Sequence, residues 1–157
     1  MLLVLQINGC ESPHVLAPRS GRGKRTVRRA DELKEKFIAL VVTRTRIEET
    51  LLRHLEAFAK GDLDVLMSDY CEDAVLITPD GILRGGGEIE TFFEELLANF
   101  SPGSTFEVSQ CTAERTTAYI VWSGRSEHLD IPFATETFMV RDGRILTQTF
   151  TSQMYPR

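Results

Sequence analysis

Between about residue 44 and residue 100 apolar side chains recur at helical intervals; beyond residue 104 they recur at every second position. Ile47, Leu51, His54, Leu55 and Phe58 make one stripe on a helix predicted over about Arg44–Lys60. Gly61 stands where a glycine ends a helix, and Asp62 can cap a short second helix with Leu63, Leu66, Met67 and Tyr70 on one face. Ala74–Thr78 reads as a strand broken by the turn Pro79-Asp80-Gly81. Gly85-Gly86-Gly87 then separates Ile82–Arg84 from a third helix, which presents Ile89, Phe92, Phe93, Leu96, Leu97 and Phe100 to a core. After Ser101-Pro102-Gly103-Ser104 four strands follow: Thr105–Arg115, Thr116–Glu127, Ile131–Arg141 and Arg144–Ser152. Asp142-Gly143 is a two-residue hairpin signal between the last two. Helices first and a meander afterwards predict an α+β fold.

Composition divides the chain at about residue 43. Residues 1–40 carry eight Lys/Arg against four Asp/Glu, a balance of +4, while the remaining residues carry ten against nineteen, or -9. Ser12–Ala30 holds two prolines, two glycines and six basic residues, too little apolar surface to offset the entropy of ordering it. Residues 1–43 are therefore expected to be a largely disordered basic extension, with a helix starting near Asp31, and 44–157 the folded domain. A basic arm for nucleic acid or acidic lipid and a tail translated from upstream of the natural start both fit that composition. Ile7-Asn8-Gly9-Cys10 has the outline of a lipoprotein cleavage box, but no Lys or Arg precedes its short apolar run.

The acidic body argues against nucleic-acid binding by the folded domain, since phosphate contacts need a positive surface. No apolar run approaches the roughly 20 residues that span a bilayer, so no membrane span is expected. Cys10, Cys71 and Cys111 are too scattered for a disulfide framework, and no His/Cys cluster has metal-ligand spacing. Gly85–Gly87 lacks the spacing of a phosphate loop. A cytoplasmic protein with neither metal nor cofactor is the expectation.

Local sequence adds a family resemblance. His54-Leu55-Glu56-Ala57-Phe58-Ala59-Lys60-Gly61-Asp62 resembles the helix–Gly-Asp–helix joint of the nuclear transport factor 2-like (SnoaL-like) superfamily. Tyr70-Cys71-Glu72-Asp73-Ala74-Val75-Leu76-Ile77 is similar to its recurrent strand start. Gly81-Ile82-Leu83-Arg84-Gly85 followed by Ile89 and Phe92-Phe93 resembles its loop into the third helix, and Phe138–Ile145 its terminal hairpin. The resemblance implies three helices packed on a strongly curved, mostly antiparallel sheet, with a conical pocket between them. Its members include isomerases, cyclases, epoxide hydrolases, dehydratases and non-catalytic modules, so the pocket residues must decide the function.

In the isomerase branch a helix-one tyrosine and a late-strand acid form an oxyanion hole, and a strand-end aspartate is the base. Those positions fall here on His54, Glu136 and Thr78. A threonine cannot abstract a carbon-bound proton near neutral pH, so the isomerase base has no counterpart. His54 and Glu136 both lie on apolar faces, where a histidine needs partners for two ring nitrogens and a carboxyl is pushed toward its neutral form. They are the candidate acid/base pair, with Thr78, Phe92, Trp122 and Phe138 as pocket lining. The bland alternatives are a satisfied core histidine, a buried ion pair and plain aromatic packing.

Two functional readings follow. One is a pocket for a small apolar organic molecule with cofactor-independent acid/base chemistry of the isomerase, cyclase, dehydratase or hydratase type. The other is a non-catalytic ligand-binding or dimerising module. A homodimer through the outer sheet face, carrying Thr117, Tyr119, Val121, Thr135, Thr137 and Met139, fits both.

Overall fold

The protein is represented by a computed structural model that describes residues 2–5, 46–100 and 103–157. The basic stretch and the helix expected from Asp31 lie outside those residues. The first helix, α1, is described over residues 46–60, and Ile47, Leu51, His54, Leu55 and Phe58 are all buried on it. Its end follows from two backbone bonds, Gly61 N–H to Phe58 C=O at 3.0 Å and Asp62 N–H to Ala57 C=O at 2.9 Å. That is a Schellman closure, which needs a left-handed residue, and Gly61 supplies it with φ of 68°. Asp62 then caps α2 (Leu63–Ser68), accepting from the Val65 N–H at 3.2 Å.

Seven strands form one curved, open mixed sheet. β1 (Leu2–Leu5) pairs in parallel with β4 (Thr105–Glu114), and β5 (Thr117–Arg125), β6 (Leu129–Arg141) and β7 (Arg144–Pro156) follow β4 as an antiparallel meander. β2 (Tyr70–Thr78) lies parallel to β7, and β3 (Gly81–Arg84) closes the edge. The hairpin between β6 and β7 turns on Asp142 and Gly143, both at positive φ, as a type I′ turn requires.

Several boundaries differ from the sequence reading. β2 begins at Tyr70 rather than Ala74, because Tyr70 pairs with Ile145 before the register shifts and resumes at Val75 opposite Thr147. The exposed acidic residues of that bulge, Glu72 and Asp73, hide the strand's start. The three glycines form the first turn of α3 (Gly85–Leu97) instead of a linker, closed by Glu88 accepting from the Arg84 N–H at 2.7 Å. β6 and β7 also extend further, through the pairing of Leu129 with Pro156.

The helices cover one face of the sheet, and the core between them is strongly aromatic. Phe58, Phe93, Phe106, Trp122, Phe138 and Phe150 are all buried there. Along β5 and β6 burial alternates residue by residue, so Ala118, Ile120 and Trp122 face the helices beside Ala134, Glu136 and Phe138. Among the described residues no helix is long and apolar enough to cross a membrane.

Candidate functional site

Glu136 lies mid-strand on β6, directly opposite Ile120 of β5 and Phe150 of β7, so the inward face of the sheet carries its carboxyl into the core. The carboxyl is met by neutral donors. Trp122 Nε1–H donates to Oε1 at 2.7 Å, and the Gln148 amide donates to Oε2 at 2.5 Å. Gln148, fully buried on β7, in turn accepts from the Tyr70 hydroxyl. Burial raises the Glu136 pKa from 4.5 to about 7, and the bonds from Trp122 and Gln148 restrain that rise by favouring the charged form. Burial, then the charges of Glu136 and Asp69, push the Tyr70 hydroxyl well above its ordinary range, so it remains a proton donor at neutral pH.

His54 has different company. Its ring stands edge-on to Tyr70, Phe93 and Phe138, with centroids 5.5, 6.0 and 5.4 Å away. Its Nδ1 lies 3.7 Å from Oδ2 of Asp69, beyond hydrogen-bond reach, and neither atom has a hydrogen-bond partner among the described residues. The other oxygen of Asp69 accepts from Arg53 Nε at 2.5 Å. Asp69 ends α2 and its own backbone C=O accepts from the Ile145 N–H at 2.7 Å, which fixes the carboxylate under α1. His54 and Glu136 are thus met differently: two hydrogen bonds hold the Glu136 carboxyl, while Asp69, 3.7 Å away, is the acid beside His54.

Of the expected lining residues, Thr78 and Phe92 border an open groove of about 520 Å³ with Phe150, Ser152 and Met154. Trp122 and Phe138 sit deeper, each 1% exposed. Phe150 joins the two levels: its ring stacks on Trp122 at 6.2 Å and meets Phe92 edge-on at 5.5 Å. Phe150 therefore links the groove lining to the indole that donates to Glu136, while Glu136 itself does not line the groove. A second groove of about 390 Å³ at the β6–β7 hairpin is lined by Arg46, Thr116, Met139 and Arg141 among others. Its ionisable lining residues are exposed, as are Asp80 and Glu95 at the first groove; what sets the first apart is Phe150, which stacks on Trp122, the indole donor to Glu136. Among the described residues no group of three His, Cys, Asp or Glu side chains is arranged to hold a metal ion.

Sequence reasoning missed Gln148, Asp69, Tyr70 and Phe150 as site residues. Gln148 was within reach, since it precedes Phe150 by two on the same strand face and is polar where the face is apolar. Tyr70 reads as a helix position until the β-bulge is known, and Asp69 carries no signal beyond its place after a helix.

The SnoaL-like domain family matches residues 51–148. No curated protein sequence matches the chain. Among solved structures it is similar to an NTF-2 like protein of unknown function from Burkholderia xenovorans, with 21% identity over 71% of this chain and 85% of that one, at a TM-score of 0.60. It is also similar to an LEH-like epoxide hydrolase of M. tuberculosis, with 18% identity over 70% and 84% at a TM-score of 0.56. The epoxide hydrolase/cyclase-like enzyme SalBIII of pyran ring formation in salinomycin shares 13% identity over 69% and 92%, at 0.61. At these identities the structural likenesses speak for the fold, and the sequence match across most of the domain decides the family: the chain belongs to the SnoaL-like domain family, with the nuclear transport factor 2-like fold.

Proposed function

We propose that this domain takes a small, largely apolar organic molecule at the groove bordered by Thr78, Phe92 and Phe150 and carries out proton-transfer chemistry on it without a cofactor. Glu136 is the proton-transferring group, and His54, held beside Asp69, is the second ionisable group of the site. The observation that carries this reading is the Glu136 carboxyl, buried and held by Trp122 and Gln148, with its pKa raised to about 7. A group that titrates near working pH can both take and return a proton, which isomerisation, cyclisation, dehydration and hydration all require. Phe92 and Phe150 give the groove an apolar side, and Thr78, Asp80, Glu95, Asn99 and Ser152 border it with polar groups, a lining that can seat a largely apolar molecule bearing a polar atom. The molecule reaches the carboxyl when the rings of Phe92 and Phe150 turn aside.

A second reading, a non-catalytic module that dimerises, is favoured by the packing of aromatic rings into the interior and by the outer sheet face. There Tyr119 and Met139 are exposed, and Thr117, Val121, Thr135 and Thr137 are half-buried. A thermal-shift screen against planar apolar carbonyl and phenol compounds separates the two. A compound at 100 times its Kd should add about 2.7 kcal/mol, a shift of several degrees. Under the proposal the shift appears in the wild type and is lost in Phe92→Trp, which fills the groove, and in Glu136→Gln. A screen without a single stabilising compound, from a protein that sediments as a dimer, would favour the second reading.

A further inference from the structure

Three polar side chains on three strands form a single file in the core: Tyr70 on β2, Gln148 on β7 and Glu136 on β6. The direction of its hydrogen bonds is fixed at the Glu136 end. Trp122 Nε1–H can only donate, and it holds Oε1 of Glu136 as an acceptor whatever the protonation state. A proton taken up by Glu136 therefore goes to Oε2, the oxygen that faces the Gln148 amide. The Gln148 NH₂ donates to that oxygen when it is ionised and opposes it when it carries a proton, because two donors then meet. Turning the amide by half a rotation removes the conflict, since its carbonyl then accepts from the Oε2–H. The NH₂ now points at the Tyr70 oxygen, which accepts as readily as it donates.

We propose that Gln148 is a positioning residue whose amide reverses with the protonation of Glu136, so that Tyr70, Gln148 and Glu136 act as a proton-coupled relay. Tyr70 acts through Gln148: by donating to the amide carbonyl it biases the amide toward the orientation that stabilises the Glu136 carboxylate. The ionisable groups on the surrounding elements are Arg53 and His54 on α1, Asp69 at the end of α2, and Tyr70 itself; α3 presents apolar Ile89, Phe93 and Leu96. The relay deepens the reading of Glu136 as the proton-transferring group, but it is tested without any ligand. A failed ligand screen and a failed relay are therefore separate results.

The chain contains one tryptophan, and its indole N–H is the donor to Glu136, so its fluorescence reports the carboxyl directly. In the wild type the fluorescence should change with a single midpoint near 7, and Glu136→Gln should abolish that change. Gln148→Leu removes a donor to the carboxylate and should raise the midpoint by about one pH unit. Tyr70→Phe touches nothing on Glu136, yet it frees the amide and should raise the midpoint by roughly half a pH unit. A folded Tyr70→Phe protein with an unmoved midpoint would overturn the relay, as would a transition that survives Glu136→Gln. If a variant does not fold, the wild type still decides. The Gln148 side-chain amide resonances should shift with the midpoint of the Trp122 indole N–H, and amide resonances that stay still while the indole moves contradict the proposal.

Discussion

Among the described residues two carboxylates are buried in the core, and the groups that meet them differ in kind. Asp69, at the end of α2, is answered by a full opposite charge: Arg53 Nε stands 2.5 Å from one oxygen while the guanidinium side chain stays half in solvent. Glu136, mid-strand in the sheet, is met only by the neutral donors of Trp122 and Gln148. An opposite charge stabilises the ionised form and makes a clasp; neutral donors stabilise it less than burial penalises it, and the group remains free to change state near neutral pH. The first arrangement ties α1 and α2 to the start of β2. The second leaves a carboxyl that titrates near neutral pH beside Trp122, whose ring stacks on Phe150 of the groove lining. Burial alone therefore does not distinguish a structural acid from a reactive one.

The largest effect that would break this comparison is the loss of the clasp. Arg53→Ala leaves the Asp69 carboxylate buried without its counter-charge, and it should cost about 3 kcal/mol in urea unfolding. A cost below about 1 kcal/mol would show that the clasp is a surface pair in energetic terms.

The next effect concerns pH. The Glu136 pKa is raised in the folded protein, so the folded state holds this proton more tightly than the unfolded chain. The resulting stability is fully present below the unfolded value of 4.5 and is lost as pH rises through about 7. Over that window wild type should lose about 3 kcal/mol relative to Glu136→Gln, which lacks the titrating group. Parallel stability curves for the two proteins would remove Glu136 from the account.

A smaller effect sharpens the contrast by testing whether the two regions are independent. Asp62→Ala removes the N-cap of α2, the helix that ends at Asp69, and should cost about 1 kcal/mol. The Glu136 midpoint should stay where it is, as read from Trp122 fluorescence. A moved midpoint would mean that the clasp and the site are one coupled network.

The contrast also marks what the sequence discloses. The apolar stripe of α1, the Gly61-Asp62 joint, the β6–β7 turn and the inward position of Glu136 all follow from local rules: helical spacing, left-handed glycine, a type I′ turn and strand alternation. What makes Glu136 special does not. Trp122 and Gln148 are 14 and 12 residues away in sequence and reach it only through the pairing of β5, β6 and β7. Tyr70 is further still, and its place depends on a bulge that no local pattern announces. His54 illustrates the same limit, because its helix stripe shows that it is buried but not that Asp69 is the acid beside it.

The measurement that bears most directly on the central claim is the ¹³C NMR titration of the Glu136 side-chain carboxyl, its resonance identified by its loss in Glu136→Gln. A single midpoint near 7 is expected. A midpoint near the ordinary value of 4.5 would show a carboxylate stabilised as fully as a clasped one, and Glu136 would then be structural.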